Sequence, residues 1–199
     1  MTVADVAAAV VDWAALADLA GRCTACPELV ANRTTVVVGE HRPGARLLLV
    51  GEAPGADEDA RGLPFVGRAG QLLDLLLVEA GLSRDDVSVA NVLKCRPPGN
   101  RAPSRVEVTN CRGWLDRQVV LADARVVVTL GGTAAAWAFG RSVRLADVRG
   151  RAHELPSLPG RHVVPTYHPS AALRFGPAGE PRRLLRVDLG YAAELAARP

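Results

Sequence analysis

The sequence predicts an α/β layer sandwich around a mostly parallel sheet, for two reasons. An aliphatic run without a polar break occurs at 47–50, and a second aliphatic run lies within 125–130. Such runs are typical of strands buried on both faces. Segments with apolar residues at helical spacing alternate with the strands, as in folds whose parallel strands are connected by helices. The 199 residues can bury a sizeable core, so we expect residues 1–199 to form a single domain.

The elements follow in order from local signals. Apolar residues at helical spacing predict a helix over 4–20, which Gly21 ends, and a leucine-rich helix over 69–80. Ser104 with Glu107 three residues later predicts a capping box at the start of a further helix. Helices are also predicted after 131–133 and over about 182–197, and the predicted strands are 34–38, 47–50, 87–92 and 125–130, with 153–155 and 162–166 as a hairpin.

Composition and charge narrow the class of protein. No apolar run reaches the roughly 18 residues that a membrane span needs, and the N-terminus lacks the basic region of a signal peptide. We therefore expect a cytoplasmic protein without membrane contacts. All 24 basic residues except Lys94 are arginine. Arginine suits phosphate binding, although codon bias is an alternative because Ala, Gly, Val and Pro are also abundant.

The four cysteines suggest a metal centre. In a cytosolic protein Cys23, Cys26, Cys95 and Cys111 are better metal ligands than disulfide partners. Four thiolates suit either tetrahedral zinc or an iron–sulfur cluster. One C-x-x-C pair with two distant cysteines fits a cluster better than zinc, which more often uses two such pairs. Four unrelated buried thiols are the remaining alternative.

The segment Gly-Glu-Ala-Pro-Gly at 51–55 follows the first buried strand. Ligand sites of open α/β sheets lie in the crevice beyond the carboxyl ends of the strands. Glu52 is therefore expected where such a sheet binds a small molecule. The alternative is an ordinary strand-to-helix turn with an exposed carboxylate.

Several motifs together identify a family. They are 51–55 with Glu58 and Asp59, Pro-Phe-Val-Gly at 64–67, Asn-Val-Leu-Lys-Cys-Arg-Pro-Pro at 91–98, and His-Pro-Ser at 168–170. This set, with the cysteine spacing, resembles the iron–sulfur (family 4) uracil-DNA glycosylases from about Cys23 to the C-terminal helix. The resemblance implies an α/β/α sandwich with a central four-stranded sheet, a structural [4Fe-4S] cluster that ties the N-terminal segment to the domain, and removal of uracil from DNA. It also implies a monomer acting on single- or double-stranded uracil-containing DNA.

Four residues have roles that suit uracil chemistry. Phe65 can offer an aromatic face to a base flipped out of the duplex, or it can anchor its loop in the core. The amide of Asn91 complements uracil N3–H and O4, although asparagine is also common at strand ends. His168 can donate to O2 as negative charge develops on the leaving base. Glu52 can orient the attacking water or stabilise the sugar cation.

The resemblance implies further site residues. Ala53 belongs to the uracil pocket, and Glu58 fills the space that a thymine methyl would need. Residues 171–174 form a minor-groove loop with Leu173 as the wedge, while Ser170 and Arg174 lie near DNA phosphate. The neighbouring acidic residues Asp57 and Asp59 are expected to be solvated.

Three other functions compete with this hypothesis. Relatives in the same superfamily trap uracil covalently through a histidine inserted after the asparagine motif, but residues 96–103 contain no histidine. A catalytically silent lesion-binding or polymerase-associated module would not need Glu52, Asn91 and His168 together. A zinc-stabilised nucleotide-binding domain would be colourless, whereas an iron–sulfur protein is brown.

Overall fold

A computed structural model describes residues 2–198 as an α/β fold around one five-stranded sheet. The strands are β1 (Leu47–Gly51), β2 (Val87–Asn91), β3 (Val126–Leu130), β4 (His153–Glu154) and β5 (His162–Thr166). The helices are α1 (Val3–Ala8), α2 (Trp13–Gly21), α3 (Pro27–Asn32), α4 (Ala56–Arg61), α5 (Arg68–Glu79), α6 (Arg105–Ala122), α7 (Gly132–Phe139), α8 (Leu145–Val148), α9 (Pro169–Phe175) and α10 (Glu180–Ala197).

The sheet has the strand order β2-β1-β3-β5-β4. β1 pairs in parallel with β2 and β3, and β3 pairs in parallel with β5. These are the four parallel strands expected from the sequence. The predicted hairpin adds a fifth, two-residue strand, β4, which runs antiparallel to β5 at the edge. The expected fold class is therefore confirmed.

Alternate residues of the strands face the helices on opposite sides of the sheet. Leu47 and Leu49 pack with residues of α5 and α10 in one apolar cluster. Leu48 and Val50 pack with residues of α6 and α7 in a second cluster. This period of two is what a strand buried on both faces requires, and it produces the three layers of the sandwich.

The N-terminal helix predicted over 4–20 is two helices. α1 ends at Ala8, and α2 starts after Asp12, whose side chain accepts a hydrogen bond from Ala15 N at 2.8 Å. An aspartate in this position satisfies an otherwise free amide of the next helix. The prediction was wrong because apolar spacing continues across the break, whereas the capping interaction separates the two helices.

The strand predicted over 34–38 does not form, although the segment runs beside β2. Val37 N donates to Lys94 O at 2.8 Å, and Glu40 forms an isolated bridge with Val89. Gly39 lies between these contacts with φ +131°, and a Cβ there would approach Val89 O to 2.6 Å. The positive φ, which favours glycine, interrupts the ladder.

The prediction that Asp59 is solvated was wrong. Asp59 lies in α4 and is 2% exposed, and its carboxylate accepts hydrogen bonds from Thr34 N and Thr35 N at 2.9–3.3 Å. It therefore ties the segment after α3 to α4. Asp57, on the same helix, is exposed as expected.

No helix within residues 2–198 combines the length and the apolar character that crossing a lipid bilayer demands.

Asp59→Ala should lower the free energy of unfolding by about 1–3 kcal/mol, because it leaves partly buried amides without their acceptor. Asp57→Ala is the matched control and should change stability by less than about 0.5 kcal/mol. Urea unfolding followed by circular dichroism measures both. Equal stability of the two variants would show that the Asp59 contacts contribute nothing to the fold.

Candidate active site

A cavity of about 270 Å³ lies beyond the carboxyl ends of β1 and β2. The residues that line it include every residue predicted for the uracil pocket, namely Glu52, Ala53, Glu58, Phe65, Asn91 and His168. They come from separate segments, which meet because the parallel strands end at one edge of the sheet. The structure therefore brings together what the sequence only suggested.

Asn91 contributes a buried acceptor to the cavity. It is the last residue of β2 and 2% exposed, and its Oδ1 has no hydrogen-bond partner within the described part of the chain. Gly51 lies opposite, and a Cβ there would collide with Asn91 Oδ1 and come within 2.5 Å of Phe65 Cζ. Since buried polar atoms are normally paired, a free oxygen that lines a cavity indicates a ligand with a donor.

Phe65 lines the cavity and also anchors its loop in the core, while its contact with a flipped base stays a prediction. It is 7% exposed and belongs to the apolar cluster under α5. Its ring centroid lies 5.8 Å from that of His168, with 30° between the planes. Its φ is +54°, which is uncommon for a bulky residue and costs energy. The backbone of Phe65 also packs against Gly70, where any side chain would collide with it.

The carboxylate of Glu58 accepts hydrogen bonds from three backbone amides. Oε1 accepts from Val66 N at 2.9 Å and Gly67 N at 2.8 Å, and Oε2 accepts from Gly55 N at 3.0 Å. Glu58 thus holds the Phe65 loop against the 51–55 loop while it lines the cavity. Its exclusion of a thymine methyl stays a prediction.

Sequence reasoning missed the partner of Glu52. Thr133 donates a hydrogen bond from Oγ1 to Glu52 Oε2. Thr133 lies in the first turn of α7, which follows β3, the neighbour of β1 in the sheet. The signal was available, because Gly131-Gly132-Thr133 follows a predicted parallel strand and must therefore lie at the same edge as Glu52.

His168 is set up as a neutral donor. It caps α9, and its Nδ1 accepts a hydrogen bond from Ser170 N at 3.1 Å. A backbone amide can only donate, so the proton of the neutral ring is on Nε2. Burial in the cavity lowers the pKa of His168 to about 4, and the nearby charge of Glu58 opposes this shift. At neutral pH the ring is therefore an uncharged N–H donor.

The segment predicted as a minor-groove loop is helical, so the predicted conformation was wrong, while its contact with DNA stays a prediction. Residues 171–174 lie within α9, which begins at Pro169 with His168 as its cap. Proline at the first position and a capping side chain both favour a helix. Leu173 is 38% exposed and Arg174 lies in the last turn. The neighbouring Phe175 is 64% exposed, and sequence reasoning overlooked it.

The four cysteines lie in one apolar cluster. Cys23 and Cys26 lie between α2 and α3, Cys95 follows β2, and Cys111 belongs to α6. All four are free thiols. Arg33 Nη1 donates to Cys95 Sγ at 3.0 Å. Within residues 2–198, no three or more His, Cys, Asp and Glu side chains are grouped so that they could hold a metal ion.

Burial raises the pKa of three of these thiols. They are Cys26, Cys95 and Cys111, and for Cys111 the value is about 12. Buried apolar surroundings disfavour thiolate, so the thiols remain protonated at neutral pH unless a cation replaces the proton.

Lys94 connects this cluster to the cavity. It is 1% exposed, and its Nζ donates to the backbone oxygen of Asn91 at 2.6 Å. Burial lowers the pKa of Lys94 to about 8, while the charges of Cys111, Cys95 and Asp116 oppose this shift. Sequence reasoning noted Lys94 as the one lysine in the chain and as a member of the 91–98 motif, but predicted no contact for it.

The fold and the composition of the cavity agree with the comparison to known families. Residues 38–186 match the model of the uracil DNA glycosylase superfamily, and the chain belongs to this superfamily. The type-4 uracil-DNA glycosylase of Thermotoga maritima is 46% identical over 86% of this chain and 88% of its own length. That of Sulfurisphaera tokodaii is 41% identical over 89% and 81%. A type-5 uracil-DNA glycosylase of Thermus thermophilus is 37% identical over 74% and 82%. The resemblance to family 4 is thereby confirmed.

We predict that His168 titrates near pH 4, well below the usual value of about 6.5. Between these values the unfolded chain binds more protons than the folded one, so stability rises with pH. The contribution of the His168 pKa shift to folding stability is fully present above about pH 6.5 and is lost as the pH falls towards 4. NMR titration of the imidazole signals measures the pKa, and the signal missing in His168→Gln identifies the residue. A midpoint near 6.5 would contradict the buried, neutral ring.

Proposed function

We propose that the chain hydrolyses the N-glycosidic bond of uracil in DNA, releasing free uracil and leaving an abasic site for base excision repair. The observation that carries this proposal is the unpartnered Oδ1 of Asn91 in a cavity that also contains Phe65 and His168. The names of the type-4 relatives support the same activity.

The cavity suits a single flipped base. An enzyme must extrude a base from the duplex before it can reach the glycosidic bond. Uracil N3–H donates to Asn91 Oδ1, and the amide nitrogen of Asn91 donates to uracil O4. Phe65 forms one wall of the cavity and contacts the base. These contacts hold uracil with its O2 and its glycosidic bond toward His168 and Glu52.

His168 stabilises the leaving base. As the bond from N1 to C1′ breaks, negative charge spreads over uracil and reaches O2. A neutral Nε2–H at that position stabilises the charge without a proton transfer, because the low pKa of the ring keeps it uncharged before the reaction. Ser170 N fixes the ring through Nδ1.

Glu52 acts on the sugar side. One carboxylate oxygen is held by the hydroxyl of Thr133, which leaves the other free. The carboxylate charge stabilises the positive sugar in the transition state, and the free oxygen orients the water. Hydroxide from that water adds to C1′, and its proton balances the charge on the released uracil.

We propose that Cys23, Cys26, Cys95 and Cys111 bind [4Fe-4S], on the chemistry of the four thiols and not on their arrangement, which in residues 2–198 does not by itself form a metal-holding group. The donor set is four thiols, which is the usual ligand set of such clusters. Arg33 lies against Cys95, and Lys94 is buried beside Cys95 and Cys111, so positive charge is available to offset four thiolates. When bound, the cluster ties the loop between α2 and α3 to α6 and β2. In this proposal it takes no part in the chemistry.

On the DNA side, we propose that Leu173 enters the space that the flipped base leaves. Leu173 and Phe175 are both exposed near the end of α9, where a helix in place of a loop presents them. Apolar wedges of this kind hold unstacked steps open. Ser170 and Arg174 contact phosphate beside the wedge.

Asn91→Asp tests the base-recognition role. It should lower the rate of uracil excision at least about 10²-fold, because a carboxylate cannot donate to O4 and its charge repels the developing negative base. Asn100→Asp is the matched control in the same cavity, where Asn100 Oδ1 accepts from Arg96 Nε at 2.7 Å. Excision is measured on otherwise identical oligonucleotides that contain uracil or cytosine. Full uracil activity in Asn91→Asp would sink the assignment, and a protein–DNA adduct would instead favour covalent trapping.

Cys23→Ala tests the cluster. The variant should lose visible absorption and iron and should unfold at lower denaturant concentration, because metal binding contributes to folding. Thr24→Ala in the same loop should keep both. Iron and zinc are quantified in protein purified without oxygen. Zinc in place of iron in the wild type would exclude the cluster and leave the glycosylase proposal to its own test.

A further inference from the structure

A second, larger groove of about 620 Å³ lies between α6 and α7. The residues of α6 that line it are Arg105, Val108, Thr109 and Arg112, and those of α7 and its C-cap include Thr133, Ala136, Trp137 and Gly140. Each set follows the spacing i, i+3, i+4, i+7, which is one face of a helix. The groove is therefore formed by two helix faces that lie side by side.

The groove is strongly basic. Arg105, Arg112 and Arg141 line it, and none of its lining residues, all within residues 2–198, is acidic. In the described part of the chain the side chains of Arg105 and Arg141 have neither a hydrogen bond nor an ion pair, and both are exposed. Arg112 pairs with Asp116 at 3.1 Å, at the surface. The two unpaired arginines raise the local concentration of anions.

The groove continues from the base cavity. Thr133 lines the groove and donates its hydroxyl proton to Glu52 inside the cavity. On the other side, Pro97 and Arg101 line the cavity, and Pro103 on the same loop lines the groove. A strand that leaves the cavity therefore meets the basic groove next.

We propose that this groove binds the phosphodiester backbone of the DNA strand on one side of the uracil. This inference rests on the proposed glycosylase activity and adds to it a binding site for the flanking strand. The eight residues of α7 rise about 12 Å, so the groove is long enough to follow a short stretch of one strand. The apolar floor of Val108, Ala136 and Val143 contacts the sugars, while the arginines contact the phosphates.

The test is the double variant Arg105→Gln with Arg141→Gln, assayed on single-stranded oligonucleotides with long flanks. KM should rise by about three- to tenfold with kcat unchanged, since the groove holds the flank and not the reacting base. The dependence of log KM on log salt should flatten by about 0.7 for each phosphate that the variant no longer neutralises. Arg186→Gln in α10, on the opposite side of the sheet, is the control. It should change neither KM nor the salt dependence of KM.

Truncated oligonucleotides localise the effect. Shortening the flank on one side of uracil should raise KM for the wild type, and on that substrate the double variant should match the wild type. Equal weakening on long and short substrates, or no effect on either, would overturn the proposal. The latter result is also expected if the groove takes an acidic protein partner. Fluorescence anisotropy with uracil-free oligonucleotides tests the groove even if the wild type excises no uracil, so failure of the activity and failure of the groove are distinguishable.

Discussion

The absence of a side chain at position 51 is the constraint on which the cavity depends. β1 and β2 are adjacent parallel strands, and Gly51 is paired with Asn91 in their register. Any Cβ at 51 would collide with the Asn91 amide and crowd the Phe65 ring, so two groups that line the cavity approach the same glycine. A glycine within a strand normally weakens the strand, because it has no side chain to pack against its neighbours. Here the space left by the glycine makes room for a ligand, and the free Oδ1 of Asn91 is the visible consequence.

Two acidic residues of α4 keep the loops around this cavity in place. Glu58 accepts three backbone hydrogen bonds and joins the 51–55 loop to the Phe65 loop. Asp59, one residue further, holds the amides of Thr34 and Thr35. Consecutive helical side chains point in different directions, so a single turn of helix organises both the cavity and the segment that leads from the cysteines. Asp59, which was expected to be solvated, is instead an acceptor that irregular backbone needs.

Features that depend on burial and on strand ends could be predicted from the sequence. Features that depend on a single tertiary hydrogen bond could not. Short segments rich in aliphatic residues located the four parallel strands, and their ends located Glu52, Asn91 and His168, because parallel strands must end at a common edge. The break at Asp12, the burial of Asp59 and the contact of Thr133 with Glu52 each depend on a partner that no periodic pattern shows. The 171–174 segment was mistaken for a loop because the function expected of it outweighed the helix signals of His168 and Pro169.

Lys94 shows how closely the cysteine cluster and the base cavity are joined. A buried ammonium costs several kcal/mol unless it has hydrogen bonds and opposite charge nearby. The backbone oxygen of Asn91 supplies the hydrogen bond, and Cys111, Cys95 and Asp116 are groups that can supply the charge. Lys94 therefore donates a hydrogen bond to the last residue of β2 and also lies beside the cysteine thiols. Only a few residues of buried backbone separate the Asn91 amide, which lines the cavity, from the Cys95 sulfur. A change that moves this segment must therefore shift the cavity and the cysteine cluster together.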